Sequence, residues 1–142
     1  MFLQILRKLK DLIEGESSYH KIQGSEDRLL TSVCSDSRRV VDGSAFFALP
    51  GNRTSGEIHV DEAINRGARL IVTENERLKL PSKVTMLKVE DSRKAMAKFA
   101  KKFYNSPDYS LSLVGVTGTN GKTTVTTLTR YLLERAGNPV GL

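Results

Sequence analysis

Cysteine is nearly absent. Cys34 is the only one in 142 residues, so no intrachain disulfide can form and no Cys/His metal cluster can be assembled. Histidine is scarce too: His20 and His59 lie far apart, neither at a ligand spacing, and both read as ordinary surface or packing residues. There is no tryptophan and no dense basic block, although the net charge is +6. A scattered positive balance acts on solubility and steering, so nucleic-acid binding is not expected. A long uncharged apolar run is also missing. The N-terminal "MFLQILRKLKDLIEGE" puts Phe2, Ile5, Leu6, Leu9, Leu12 and Ile13 at helical spacing, but Arg7, Lys8 and Lys10 interrupt it. That rules out a signal-peptide core and a membrane span. The stripe predicts a helix packed on its own domain, with a membrane-surface helix as the alternative. No membrane insertion and a cytoplasmic location are the expectation. Neither an internal repeat nor a low-complexity tract is present.

What is there is the composition of a soluble globular protein, 39% hydrophobic and 27% charged, with about one domain's length. "SSYHKIQGSEDRLL" is polar and reads as a connection; "LLTSVCSDSRRV" offers a short β-type run ending in a polar cluster. Asp42-Gly43 signals a turn, Ala45 to Leu49 an apolar strand, and Pro50-Gly51 its end. "HVDEAINRGARLIVTE" predicts one helix closed by Gly67, then a buried strand from Arg69 to Thr73. "KVTMLKVED" is another strand. In "DSRKAMAKFAKKFYNSPD", Met96, Phe99, Ala100 and Phe103 fall at helical spacing behind Asp91 or Ser92 as N-cap, and they read as core. "NSPDYS", Asn105 to Ser110, is the boundary candidate, and "LSLVGV" beyond it a fresh strand. Strands alternating with helices imply an α/β architecture with a largely parallel sheet.

"GVTGTNGKTTVTTL", Gly115 to Leu128, carries the chemistry. A strand, a Gly-rich turn and Gly-Lys-Thr opening a helix form a phosphate-binding loop, in which backbone N–H groups make an anion nest and the helix start adds its dipole. Lys122 is placed to reach the β- and γ-phosphates, and the Thr123 hydroxyl to ligate Mg²⁺. The following helix carries Leu128, Leu132 and Leu133 on one face and ends at Gly137. The spacing is unusual: the position five residues before Gly121, ordinarily glycine, is Val116, and the glycines fall at 115 and 118. A mononucleotide ligand is expected. The loop alone does not separate an ATPase, a kinase and a ligase.

The shifted spacing of "GVTGTNGKTT" resembles the ATP loop of the Mur ligases of peptidoglycan synthesis. "SDSRRVVDGSAFFALPGNRTSG", followed by "AINRGARLIVTE", is similar to the N-terminal UDP-binding domain of that family, and the two motifs stand in the family's order and separation. The likeness covers roughly residues 30 to 142; the first thirty residues carry little of it. Within the family, "GTNGKTT" looks like the ligase that adds the third amino acid, while the N-terminal block would also fit the ligase acting next. The resemblance implies a small mixed-sheet UDP-sugar-binding domain over residues 1–108. The first strand–loop–helix unit of a P-loop ATPase domain would then occupy 109–142. It also implies that Ser35 and Ser37 contact the UDP-sugar and that Asn52, Arg53 and Thr54 complete the pocket. Gly118, Thr119, Asn120, Gly121, Lys122, Thr123 and Thr124 would hold ATP, with Lys122 catalytic and Thr123 on Mg²⁺. Asp36-Ser37-Arg38 also reads as a plain turn held by side-chain hydrogen bonds. The chain departs from the family pattern at Ser55-Gly56, where Asp-Gly is usual, and at His59, where an aromatic is usual.

The reaction implied is an ATP-dependent amide ligation through an acyl phosphate. Its substrates would be UDP-N-acetylmuramoyl-L-alanyl-D-glutamate and an amino acid, diaminopimelate or lysine, with a monomer at full length. No general base is identifiable in the chain, which is expected to be an N-terminal fragment of such a ligase. Two other classes remain: a different P-loop enzyme such as a small-molecule kinase, which has no use for "SDSR…ALPGN", and a non-catalytic UDP-sugar-binding module.

Overall fold

The computed structural model describes residues 5–51 and 55–141. The expectations for Phe2 and for Asn52, Arg53 and Thr54 lie outside the described residues. The chain divides into two compact units, Met1–Pro107 and Asp108–Leu142.

In the first unit the elements follow in order: β1 (Arg7–Lys8), α1 (Leu9–Ile13), β2 (His20–Gln23), β3 (Leu29–Leu30), β4 (Ser32–Cys34), β5 (Ser44–Phe47), α2 (Val60–Asn65), β6 (Leu70–Thr73), β7 (Thr85–Lys88) and α3 (Ser92–Phe103). Single 3₁₀ turns at Ser37–Arg39 and Gly56–His59 precede β5 and α2. β4, β5, β6 and β7 are parallel and lie side by side in chain order; β2 closes the β7 edge antiparallel. β1 and β3 pair in a separate two-stranded ladder. The fold is α/β with a mixed, mainly parallel sheet.

The central strands are short apolar runs because both faces of a parallel sheet are covered. Alternate residues go to opposite sides. Ala45 and Phe47 of β5, Leu70 and Val72 of β6, and Leu87 of β7 pack with Leu9 and Leu12 of α1 and with Ala95, Phe99 and Phe103 of α3. Phe46, Ile71 and Val84 turn to the other side, against Val60 and Ala63 of α2, Val40 and Cys34. Phe99 is central to the first layer, meeting Phe47 edge-to-face at 5.3 Å and Tyr19 at 6.2 Å between ring centroids. Burying one such ring is worth roughly 1.5–3 kcal/mol. Asp91 caps α3 by accepting from the Lys94 amide at 2.9 Å. The helix ends where Asn105 and Ser106 take left-handed conformations just before Pro107.

Two expectations change here. The helix predicted from the N-terminal stripe is confined to Leu9–Ile13, because Arg7 and Lys8 pair with Leu30 and Leu29 instead. The polar stretch expected as a connection contains β2: its register pairs His20 with Lys88 and Lys21 with Leu87, so backbone pairing along an exposed edge replaces side-chain hydrophobicity as its reason to exist.

In the second unit α4 spans Lys122–Arg135 and turns off at Gly137. The strand expected over Leu111 to Val116 is not formed; these residues make no β pairing, and Leu111, Leu113 and Val114 are exposed. A strand is defined by its neighbour, and no described residue supplies one.

Candidate functional site

In an open parallel sheet the loops that leave the carboxyl ends of the strands form the crevice where ligands bind. Here those ends are Cys34, Phe47, Thr73 and Lys88. Ser35 and Ser37 follow directly on Cys34. Ser35 is exposed at the bend. Ser37 is buried, and its hydroxyl donates to Glu62 Oε2 of α2 at 2.6 Å. Between them Asp36 accepts from the Arg38 amide at 3.0 Å and from the Arg38 guanidinium at 2.9 and 2.8 Å. That guanidinium holds the Asp36 carboxyl down at about 2. Glu62 is also held below its ordinary value, first by the Ser37 hydroxyl and then by Arg66, whose Nε donates at 3.1 Å. His59 Nδ1 lies 4.0 Å from the same carboxylate. The plain turn foreseen for Asp36-Ser37-Arg38 is therefore present, with Ser35 as its outward hydroxyl.

The loop after β5 holds the expected Asn52, Arg53 and Thr54, which are outside the described residues; its flanks are described. Pro50 and Ser55 form an isolated bridge. The Gly56 amide donates to Leu49 O at 2.8 Å, and a Cβ at Gly56 would stand 2.8 Å from both Leu49 N and Leu49 O, so only glycine lets the two backbones approach. Ser55 Oγ accepts from the Glu57 amide at 3.3 Å, doing the capping an aspartate would do there. Arg93 Nη2 donates to Pro50 O at 2.7 Å. Glu57 accepts from Thr73 Oγ1 at 3.0 Å and Asn75 Nδ2 at 3.2 Å. Glu57, Glu62 and Arg93 were missed from sequence; no spacing marks them, since each acts on a residue from a distant stretch.

The glycine loop belongs to the second unit. Gly121 adopts φ +78°, a left-handed conformation that glycine takes without a Cβ penalty, and it stands at the N-cap of α4. No side chain caps the helix start. The first-turn amides therefore point at whatever anion enters, with the helix dipole behind them. Lys122 Nζ donates to Gly118 O at 2.5 Å and Thr119 O at 3.3 Å, which places its charge at the mouth of the loop. Thr119, Asn120, Thr123 and Thr124 are exposed around it. Thr126 bonds back to Lys122 O and Thr123 O, both at 3.0 Å. Among the described residues no group of three or more His, Cys, Asp or Glu could hold a metal ion, and no helix is long and apolar enough to cross a membrane.

Comparison with known proteins places this geometry. The family model described as "Mur ligase family, catalytic domain" matches residues 30–104, more than half of the chain. The UDP-N-acetylmuramoyl-L-alanyl-D-glutamate--2,6-diaminopimelate ligase of Caldanaerobacter subterraneus is 44% identical over 135 residues, 95% of this chain and 27% of its own length. The chain thus spans little more than a quarter of that relative. Among solved structures, MurF from Acinetobacter baumannii superposes with a TM-score of 0.72 at 23% identity, covering 94% of this chain and 29% of that one. The MurF ligase of Thermotoga maritima in complex with ADP has a TM-score of 0.60 at 32% identity, covering 73% and 23%. A matched family model over most of the first unit, joined to the same fold in solved members, shows that the chain belongs to the Mur ligase family.

Proposed function

We propose that the chain is part of an ATP-dependent carboxylate–amine ligase of peptidoglycan synthesis. The reaction adds the third amino acid to UDP-N-acetylmuramoyl-L-alanyl-D-glutamate, and by the names of the relatives that amino acid is diaminopimelate. The observation that carries the reading is the uncapped α4 start behind left-handed Gly121, with the Lys122 ammonium at the loop mouth, in a chain 44% identical to a ligase of that name. The first unit is read as the UDP-sugar domain, with Ser35 and Ser37 at the carboxyl edge and Asn52, Arg53 and Thr54 as the further pocket residues the family resemblance implies. The second unit is read as the start of the ATP-binding domain, with Gly118 to Thr124 around the phosphates. Such an enzyme works in the cytoplasm, where nucleotide-sugars and ATP are found.

The substrate carboxylate oxygen attacks the γ-phosphorus, the bond to the β,γ-bridging oxygen breaks, and ADP leaves. The incoming amine then attacks the acyl carbon and gives up a proton, and phosphate departs. Through both steps the α4 amides bind phosphate oxygens. Lys122 exchanges the Gly118 and Thr119 carbonyls for the β- and γ-oxygens, stabilising the charge on the transferring group. The exposed Thr123 hydroxyl at the first turn would hold a Mg²⁺, which would supply charge neutralisation.

The test is calorimetric titration of the chain with UDP-N-acetylmuramoyl-L-alanyl-D-glutamate. Saturable binding with Kd below about 1 mM is expected. No heat up to several times that concentration would sink the reading. The 32% identity to a MurF ligase favours a second reading, the ligase acting next; tighter binding of the UDP-muramoyl tripeptide than of the dipeptide would select it.

A further inference from the structure

The amino ends of the parallel strands carry a second concave face, opposite to the crevice described above. Thr31, Gly43 and Arg69 stand immediately before β4, β5 and β6. With residues 25–29, which connect β2 to β3, and with Leu6 they border an open cleft of about 430 Å³. That is the size of a small-molecule site. Its apolar wall comes from the β1–β3 ladder. The register sets Arg7 against Leu30 and Lys8 against Leu29, so Leu30 turns into the core and Leu29 turns outward. Leu29 is 53% exposed and Leu6 51%, two large apolar side chains left in water beside one cleft.

The charges around this cleft are matched except for one. Asp42 Oδ1 accepts from Arg69 Nη2 at 2.7 Å and Nε at 3.2 Å. Asp27 lies 3.5 Å from Lys10 Nζ. Arg28 has no carboxylate partner among the described residues. Its Nη2 donates to Lys83 O at 2.6 Å, while its Nε is buried with no partner among the described residues. A guanidinium carries five N–H donors in a planar fork, and a buried donor left unmade costs free energy. An unmatched cation beside two exposed leucines suits an anion that brings its own apolar body.

We propose that this cleft binds a small organic monocarboxylate, its carboxylate on the Arg28 guanidinium and its hydrocarbon part against Leu6 and Leu29. Two coplanar oxygens fit the fork, and one negative charge answers the one unmatched positive charge. A phosphate monoester would carry a second negative charge toward Asp27 and Asp42. The cleft lies at the strand ends opposite to Cys34, Phe47 and Thr73, so its ligand binds independently of the proposed nucleotide-sugar.

The experiment follows the amide resonances of the 142-residue chain by NMR while hexanoate is added. Saturable shifts at residues 25–31, 42, 43 and 69 are expected, with Kd below about 5 mM. Acetate has the head without the body, and hexanol the body without the head. Each should bind at least about tenfold more weakly than hexanoate. Arg28→Gln should weaken hexanoate about tenfold, and Leu6→Ser, at an exposed position outside the core, about threefold. Thermal unfolding of both variants checks that they remain folded. Saturating UDP should leave the hexanoate affinity unchanged. No saturable shift up to about 20 mM hexanoate would overturn the inference. So would equal affinity for acetate or hexanol, full affinity in folded Arg28→Gln, or displacement by UDP.

Discussion

Asp36 shows how much of a turn one side chain can hold. It accepts from the Arg38 amide and from two guanidinium nitrogens, and the guanidinium keeps its carboxyl at about 2, below the ordinary aspartate value. A depressed folded-state pKa contributes stability that is complete above the unfolded value, near 4, and is lost as pH falls from there through about 2. Arg38 keeps its charge across this window, so the loss comes from protonation of the carboxylate alone. Asp36→Asn removes the ionisation and with it the pH dependence. The gap in urea midpoint between the parent and Asp36→Asn should therefore be constant above pH 5 and close as the pH is lowered to 2. A gap independent of pH would show that the pair contributes nothing specific to the folded state.

Two helices make the comparison at the scale of elements. α3 and α4 are of similar length and both carry an apolar stripe, but only α3 has a surface to bury it against: Ala95, Phe99 and Phe103 are closed off, while α4 buries none of its side chains. Val125, Leu128 and Leu132 are 48%, 57% and 58% exposed. Helical propensity alone is marginal for a segment of this length, and packing normally supplies the difference. Amides in the interior of α3 should exchange with solvent at least about 100-fold more slowly than those of α4 in the 142-residue chain. Equal protection in the two helices would mean that α4 is stabilised by something other than buried apolar surface.

At the scale of the molecule, the chain divides into two compact units, Met1–Pro107 and Asp108–Leu142, and the proposed UDP-sugar and ATP sites fall one in each. Lys122 donates within its own loop, to Gly118 and Thr119. Lys122→Ala is therefore expected to weaken titration with Mg²⁺–ATP by at least about tenfold, the loss of a charge-assisted contact to phosphate. The same variant should bind UDP-N-acetylmuramoyl-L-alanyl-D-glutamate with unchanged affinity. A parallel loss of both would show that the two sites are coupled, and undiminished ATP binding would remove Lys122 from the phosphate site.

The amino-acid order by itself determined the elements whose signals are local. β5, β6 and β7 are apolar runs bounded by turn residues, α3 shows the Phe99 and Phe103 spacing behind Asp91, and the Gly-Lys-Thr of the loop opens a helix wherever its neighbours lie. The family was legible too, because its two motifs are short and contiguous. Tertiary structure decided everything that needs a partner from elsewhere in the chain. β2 is polar in sequence and a strand only because β7 offers its edge. Leu111 to Val116 is apolar in sequence and no strand, because no described residue offers it one. The Ser37 hydroxyl donates to Glu62, 25 residues further on, a contact that no local pattern marks. Periodicity and punctuation act within a few residues of themselves; pairing, burial and the direction of a hydrogen bond are set by distance in space.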